Sequence, residues 1–296
     1  MDVSIIIVNF NTKDLTVQCI NSIFDKTLGI KFEIIVVDNN SKDGSIEILS
    51  RDNRIVFIES HANIGFGKAN NLGFQKAIGK YVFFLNSDTM LVNNAIKELF
   101  DFAERYTHKL GALGCVLEDR KGEIIHSYGD FPTMKASIYK LTIVPFFRML
   151  GIYKKKDIAY PDQYMRVDYI TGADLFVPRN VLEKCGAFDP DFFMYYEETE
   201  MEKRFQQAGY DRILLKGPRI IHFEGESSNI RETSLFIKHT RRQLISELIY
   251  YKKTRLKIEY YIYRILLILL RQFLWLYPHI SFKDKITYFK TLFTLK

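Results

Sequence analysis

Residues 80–92 read KYVFFLNSDTMLV. Tyr81 to Leu85 is a continuous apolar run of aromatic and β-branched residues, the pattern of a strand buried on both faces and hence of a parallel sheet. The run stops at Asn86-Ser87-Asp88-Thr89 and then resumes with helical spacing. Ser and Asp bond their own backbone in turns, which accounts for the break. It leaves two roles open for Asp88: closing such a turn, or holding a hard divalent cation that in turn grips phosphate oxygens.

Outward from this stretch, residues 3–8 (VSIIIV), 33–37 (EIIVV) and 55–58 (IVFI) have the same character. Helix-length segments separate them, with apolar residues at helical spacing: Leu15, Cys19, Ile20 and Ile23, then Ile46 and Leu49, then Phe66, Ala69, Leu72 and Ala77. Strand and helix therefore alternate as βαβ units, which predicts an α/β fold with a mostly parallel, Rossmann-like sheet. Ligands of such sheets lie beyond the carboxyl ends of the strands. Asn9 and Asn11, Asp38 to Asn40, and Asn86 to Asp88 all stand at such ends. Asp38 either accepts from a ligand or caps the turn at Ser41.

Downstream, GALGCVLED and GEIIHS read as a strand pair joined by a turn at Asp119 to Gly122, and ITGADLFVP as a strand ended by Pro178. The acidic stretch 188–205, FDPDFFMYYEETEMEKRF, opens a helix whose positive N-terminal end favours carboxylates. Glu197 and Glu198 are either a solvated helix start or a pair in which one carboxylate serves as a base. His222 follows another short apolar strand and is either a structural hydrogen-bonder or a metal ligand.

From about residue 255 Lys257, Arg264 and Arg271 recur every seven residues among Ile, Leu, Tyr, Phe and Trp275. This predicts one basic stripe on an apolar helix lying in a membrane interface, or alternatively a helix packed on the domain or on a second subunit. The uncharged run between Arg264 and Arg271, Ile265 to Leu270, is far short of the roughly 20 residues a span requires.

The 296 residues are 47% hydrophobic and 26% charged, which excludes a disordered chain. Three scattered cysteines, Cys19, Cys115 and Cys185, lack metal or redox spacing, and the first apolar stretch has no basic start, so a cytoplasmic setting is expected. The formal charge of +7 gathers near the C-terminus without a nucleic-acid reading motif, so no nucleic acid is expected as a partner. Residues 63–73, NIGFGKANNLG, fail both nucleotide signatures: the dinucleotide pattern needs Gly at Asn70, and the P-loop needs Gly at Ala62 and Ser or Thr at Ala69.

Taken in order, VSIIIVNFN, IIVVDNNSKDGS, ESHANIGFGKANNLGF, FFLNSDT, GADLFVPRNVLEKCGAFDPDFFMYYEETEMEKR and HFEGESS resemble the inverting family 2 glycosyltransferases, most of all their bacterial rhamnosyltransferase-like branch. The resemblance spans roughly residues 3–228. It implies a GT-A fold, a nucleotide-diphosphate sugar donor and a divalent metal, Mg²⁺ or Mn²⁺. By position, it implies that Asn9 and Asn11 border the base and Asp38 contacts base or ribose. Asn63, Gly65 and Asn70 would line the nucleotide side. The family's Asp-x-Asp is Asn86-Ser87-Asp88 here, so Asp88 would hold the metal and Asn86 only hydrogen-bond sugar or ribose. Glu197-Glu198 stands for the family's Glu-Asp pair, with Glu198 as base, and His222, followed by Gly225 and Ser227, for its metal-side His. Gly172, Ala173 and Asp174 fall where donor sugar and acceptor meet.

The chain is thus expected to hold a GT-A domain at 1–230 and a C-terminal amphipathic helical segment at 231–296. It would be peripheral on the inner face of the cytoplasmic membrane and would act on a lipid-linked or oligosaccharide acceptor. dTDP-rhamnose is the first expected donor and a UDP-sugar the second. The other function classes in view are a catalytically silent nucleotide-sugar fold serving as a membrane scaffold, and a nucleic-acid binder.

Overall fold

A computed structural model describes residues 1–139, 160, 162–223, 233–272 and 282–294. The chain divides into two compact units. The first takes Met1–Asp130, Ala159–Phe193 and Glu197–Ser228. Among the described residues, the second takes 131–139, Met194–Tyr196 and the C-terminal helices.

In the first unit the strands are β1 (Val3–Asn9), β2 (Phe32–Asp38), β3 (Val56–Glu59), β4 (Tyr81–Asn86), β5 (Thr89–Leu91), β6 (Leu110–Glu118), β7 (Tyr128–Gly129), β8 (Tyr164–Arg166), β9 (Tyr169–Ile170), β10 (Asp174–Pro178) and β11 (Asp211–His222). The helices are α1 (Lys13–Lys26), α2 (Ser45–Leu49), α3 (Phe66–Lys76), α4 (Ala95–Arg105), α5 (Arg179–Cys185) and α6 (Glu197–Gln207).

The main sheet runs β3-β2-β1-β4-β10-β6-β11-β5, with β8 on the other part of β11, and β7 pairs β9 separately. Strands β1 to β4 are parallel, β10 is antiparallel to both β4 and β6, and β11 is parallel to β6. The carboxyl ends of β1, β2, β4, β6 and β11 therefore share one edge with the first residue of β10, Asp174. That edge collects the polar residues.

Alternation along the strands fills two cores. Ile5, Ile7, Ile34, Val36, Phe83 and Leu85 pack on one face with Cys19, Ile20 and Ile23 of α1 and Leu99 of α4. Ile6, Ile35, Val82 and Phe84 pack on the other with Phe188 and with Met201 and Phe205 of α6. Each such fully buried Ile or Phe contributes about 1.5–3 kcal/mol. On the second face Gly73 lets α3 approach β1: a Cβ there would lie 2.5 Å from Ile6 Cγ2.

Two expected strands differ. GEIIHS forms no strand: it meets the end of β6 through an isolated bridge, Glu118 to Ile124, with the Ile125 amide donating to the Leu117 carbonyl at 3.0 Å. The segment ITGADLFVP splits: β9 pairs with β7, and only Asp174–Pro178 enters the main sheet.

The second unit contains α7 (Thr233–Thr254), α8 (Lys257–Leu270) and α9 (Phe282–Thr294). Its interior is aromatic: Tyr250, Tyr251 and Tyr263 are fully buried with Leu248, Leu267 and Leu292. Tyr263 donates to Glu247 at 2.7 Å and Tyr251 meets the Ser137 hydroxyl at 2.8 Å, which satisfies two phenols that burial would otherwise penalise. Burial pushes the Tyr251 phenol up to about 12.

The expected outward basic stripe is not what α8 presents. Arg264 turns inward and donates from Nε to the Leu292 carbonyl of α9 at 2.6 Å. It thereby satisfies one of the last carbonyls of α9, which have no partner within the helix. No helix among the described residues is long and apolar enough to cross a membrane. Trp275, Gly225 and Ser227 lie outside the described residues.

Candidate active site

The first cluster forms where β1 and β2 end. Asn9 is fully buried and donates to Asp38 Oδ2 at 2.6 Å and to Ser41 Oγ at 3.0 Å. Its side-chain oxygen accepts from Thr12 and Thr16 at 2.9 and 2.7 Å. Asp38 Oδ1 accepts the Ser41 amide at 2.8 Å, so its buried carboxylate braces the turn after β2. Asn11 lies exposed at φ 55, a left-handed conformation Asn tolerates, and accepts the Lys42 amide at 2.7 Å. The outer rim of this cluster is therefore Asn11 and its neighbours, with Asn9 and Asp38 beneath.

Asn39, one of the polar residues at the end of β2, holds the next loop. Its side chain donates to Asn63 Oδ1 at 3.2 Å and accepts the Ile64 amide at 3.0 Å. Asn63 in turn accepts the Gly65 amide at 3.2 Å. Gly65 has φ 91, and a Cβ there would fall 2.4 Å from the Phe193 carbonyl oxygen, which accepts the next amide, that of Phe66. Only glycine meets both demands. Asn70 is not brought to this surface: it is 1% exposed and donates to the Phe66 carbonyl within α3.

The second cluster lies beyond β4 and β11. Thr89 pairs with His222 across β5 and β11, so His222 arrives beside the Asn86–Asp88 turn. His222 Nε2 is 3.2 Å from Asp88 Oδ1 and 3.4 Å from Asn86 Nδ2. Ser87 meets the Thr12 hydroxyl at 3.0 Å, which ties this turn to the first cluster. A carboxylate and an imidazole make a donor pair suited to Mg²⁺ or Mn²⁺. Among the described residues no group of three or more His, Cys, Asp or Glu gathers around it. The pair therefore fits a cation whose remaining positions are filled by ligand oxygens, as Mg²⁺ prefers.

The third part faces α6. The Asn86 amide donates to the Ala173 carbonyl at 2.9 Å, and the neighbouring Gly172 is so close to Glu198 that a Cβ on it would sit 3.8 Å from Glu198 Cβ. Neighbouring residues thus run from Glu198 past Gly172, Ala173 and Asn86 to His222 and Asp88. Glu198 is half-buried, Glu197 is 4% exposed with Oε2 unpartnered, and Asp174 is fully buried with Oδ2 accepting the Cys115 amide at 2.6 Å. Burial pushes the Glu198 carboxyl up, and burial with the Glu198 charge beside it pushes Glu197 well up. Burial raises Asp174 to about 7 against the hydrogen bond from Cys115. Asp174 has no exposed surface, so Gly172 and Glu198, rather than Asp174, present this part of the site.

Just before Glu197, Tyr195 and Tyr196 hold φ of 73 and 68. Left-handed backbone costs bulky residues about 1–2 kcal/mol each, and strain of this kind concentrates at functional sites.

Glu202 is the acid that sequence reading underweighted, although it stands one helical turn beyond Glu198. It is fully buried and both its oxygens accept the Ile170 amide, at 3.0 and 3.1 Å. It so joins α6 to the strand that leads into Gly172. Burial drives its carboxyl well above the usual range. A carboxyl whose folded pKa is raised contributes most to stability below its unfolded pKa of about 4.3 and loses that contribution as pH climbs through the folded value. Glu202→Gln, which keeps an acceptor and removes the charge, is therefore expected to equal or exceed the parent in urea unfolding at pH 7. Glu202→Ala, which orphans the Ile170 amide, is expected to lose about 1–3 kcal/mol relative to Glu202→Gln. Equal stabilities for the two variants would remove this role.

With this geometry in place, the profile of Glycosyl transferase family 2 matches residues 4–155, half of the chain. The chain belongs to that family. Glu198 and His222 lie beyond the matched stretch, so their assignment draws on the contacts above. Among curated relatives, the chain is 23% identical over 227 residues to an N-acetylglucosaminyl-diphospho-decaprenol L-rhamnosyltransferase of Mycobacterium tuberculosis, covering 72% of this chain and 73% of that protein. It is 27% identical to the low-salt glycan biosynthesis hexosyltransferase Agl10 of Haloferax volcanii, covering 67% of this chain and 60% of that one. Among solved structures, GalNAc-T7 with UDP, GalNAc and Mn²⁺ matches at TM-score 0.60 and 16% identity, covering 98% of this chain. Staphylococcus aureus TarS matches at TM-score 0.52 and 16% identity, covering 92%. The chain spans about half the length of these two structures, 55% and 44%. The fold of this family 2 member is GT-A, as the six ordered blocks implied.

Proposed function

We propose that this family 2 glycosyltransferase moves a sugar from a nucleotide-diphosphate donor to a hydroxyl of a lipid-linked or saccharide acceptor, with inversion, in the synthesis of a cell-surface polysaccharide. The observation that carries the proposal is the line of neighbouring residues from Glu198 to Asp88: a carboxylate with a raised pKa at one end, a carboxylate and imidazole pair at the other, and small residues between.

Each part has a physical task. An acceptor hydroxyl is a weak nucleophile until a base takes its proton during attack, and Glu198 stands where the sugar side opens at Gly172. Gly172, which carries no side chain, would face the sugar, with Ala173 buried behind it. The Asn11 rim and the Asn39-braced loop at Asn63 to Gly65 receive the nucleotide. Asp88 and His222 would hold a divalent cation, which when bound supplies positive charge for the departing diphosphate. Glu198 acts as base in a single displacement, and one displacement inverts the anomeric centre.

The relative named as an L-rhamnosyltransferase of a decaprenol-linked acceptor supports a rhamnosyl donor and a lipid-linked acceptor; dTDP-rhamnose as first donor and a placement on the inner face of the cytoplasmic membrane are part of the proposal. The reading is tested by thermal shift against a panel of dTDP- and UDP-sugars with and without Mn²⁺ or Mg²⁺, since a ligand of the native state raises apparent stability. A cation-dependent rise in Tm with dTDP-rhamnose is expected. A rise with a UDP-sugar alone would replace the donor. No rise with any donor would tell against transfer and for a silent fold.

A further inference from the structure

We infer that the outward face of α8 is a docking surface for an anionic lipid bilayer. Ile258, Tyr261, Ile262, Ile265 and Leu269 follow one another at helical spacing and are 64, 56, 44, 58 and 60% exposed. Leu256, at the helix start, is 69% exposed. A surface helix of a soluble domain turns charge and polar groups to water on this side, and a contiguous apolar face marks an interaction surface. The opposite side of α8 is already packed: Tyr260, Tyr263 and Leu267 are buried, and Arg264 is engaged with Leu292. The helix is thus apolar on both sides, and among the described residues only one side packs within the unit.

Charge selects the occupant. Residues 231–296 hold 14 of the 42 Lys and Arg but only 4 of the 35 Asp and Glu, so this region carries +10 and the rest of the chain −3. Lys252, Lys253 and Lys257 are exposed at the end where the apolar face begins. A second copy brought to this face would set +10 against +10. An anionic headgroup layer instead complements the lysines while the acyl boundary takes the apolar side chains. At 14 residues α8 is about 21 Å long, short of the ~30 Å hydrocarbon core, which favours a helix lying in the plane of the interface. The arginine-free face makes the contact, the reverse of a snorkelling basic stripe. The inference rests on the membrane placement proposed above, and not on the donor chemistry.

The test uses the full chain sedimented with vesicles of phosphatidylcholine, with and without phosphatidylglycerol. Binding is expected to the phosphatidylglycerol vesicles and to weaken with salt, by about fivefold for each lysine whose attraction to the headgroups is screened. Ile262→Glu with Ile265→Glu is expected to lower the vesicle partition coefficient by about tenfold or more. Should circular dichroism show that this pair is unfolded, Ile262→Ser with Ile265→Ser serves in its place. No vesicle binding by the parent chain, or binding unchanged in a folded variant, overturns the inference. A parent dimer in light scattering that the substitutions dissolve, without vesicle binding, overturns it in favour of a second copy. Donor-induced thermal shift reads the transferase separately. Vesicle binding without a donor shift supports the docking face and counts against transfer, while a donor shift without vesicle binding does the opposite.

Discussion

Glu198→Gln is expected to lower kcat by about 10²-fold or more, the scale of general-base catalysis, with KM and the donor-induced thermal shift little changed. The substitution keeps the shape beside Gly172 and removes only the proton acceptor. The pH dependence follows with a definite sign. Burial raises the Glu198 pKa, and a base must be ionised, so turnover falls on the acid side through a pKa above the ordinary glutamate value of about 4.3. That limb should vanish from the residual activity of the variant. Stability should move oppositely. A raised carboxyl loses its stabilising contribution as pH climbs through the folded value, so Glu198→Gln is expected to unfold at a higher temperature than the parent at pH 7. Turnover near that of the parent would remove the base role from Glu198.

Asp88→Ala is expected to abolish the cation dependence of donor binding. In the proposed site Asp88 would supply the carboxylate of a two-residue donor set, and its loss would leave only the His222 imidazole, 3.2 Å away in the parent. One imidazole without a carboxylate is a poor site for Mg²⁺, which prefers oxygen. The readout is the donor-induced rise in Tm with Mn²⁺ or Mg²⁺ against the rise with chelator present, which should become equal in the variant. Asp88 also braces the fold through its backbone, whose carbonyl accepts the Phe223 amide at 2.9 Å. That hydrogen bond survives side-chain truncation, so the variant is expected to remain folded. A cation-dependent shift as large as that of the parent would remove Asp88 from the metal.

Much of this was legible in the chain because it depends on local pattern. The four apolar runs read as strands and all four pair in parallel as β1 to β4, although β3, at the edge of the sheet, is exposed or half-buried along its length rather than buried on both faces. Asp38 and Asn63 show why roles were harder to read. Their side chains hold backbone amides of neighbouring turns, at Ser41 and Gly65, and a motif position does not reveal how many acceptor sites the fold already uses. Asn70 shares a loop-like stretch with Gly65 but faces its own helix, since a residue's direction on α3 depends on which side packs against β1 and β2. Glu202 was hidden because its partner, the Ile170 amide, stands 32 residues away.

By itself, then, the sequence determined the four parallel strands β1 to β4, the carboxyl edge where polar residues end them, and the family that six ordered blocks indicate. These rest on periodicity and on residue types within a few positions of one another. Only the tertiary structure decided that Asp88 meets His222 across β5 and β11, that Gly172 sits against Glu198, and that α8 turns its arginine inward and its isoleucines outward. Each of these joins segments far apart in the chain or chooses between two faces of one helix. Burial against a particular neighbour settles such a choice, and no local pattern of residues carries that neighbour's identity.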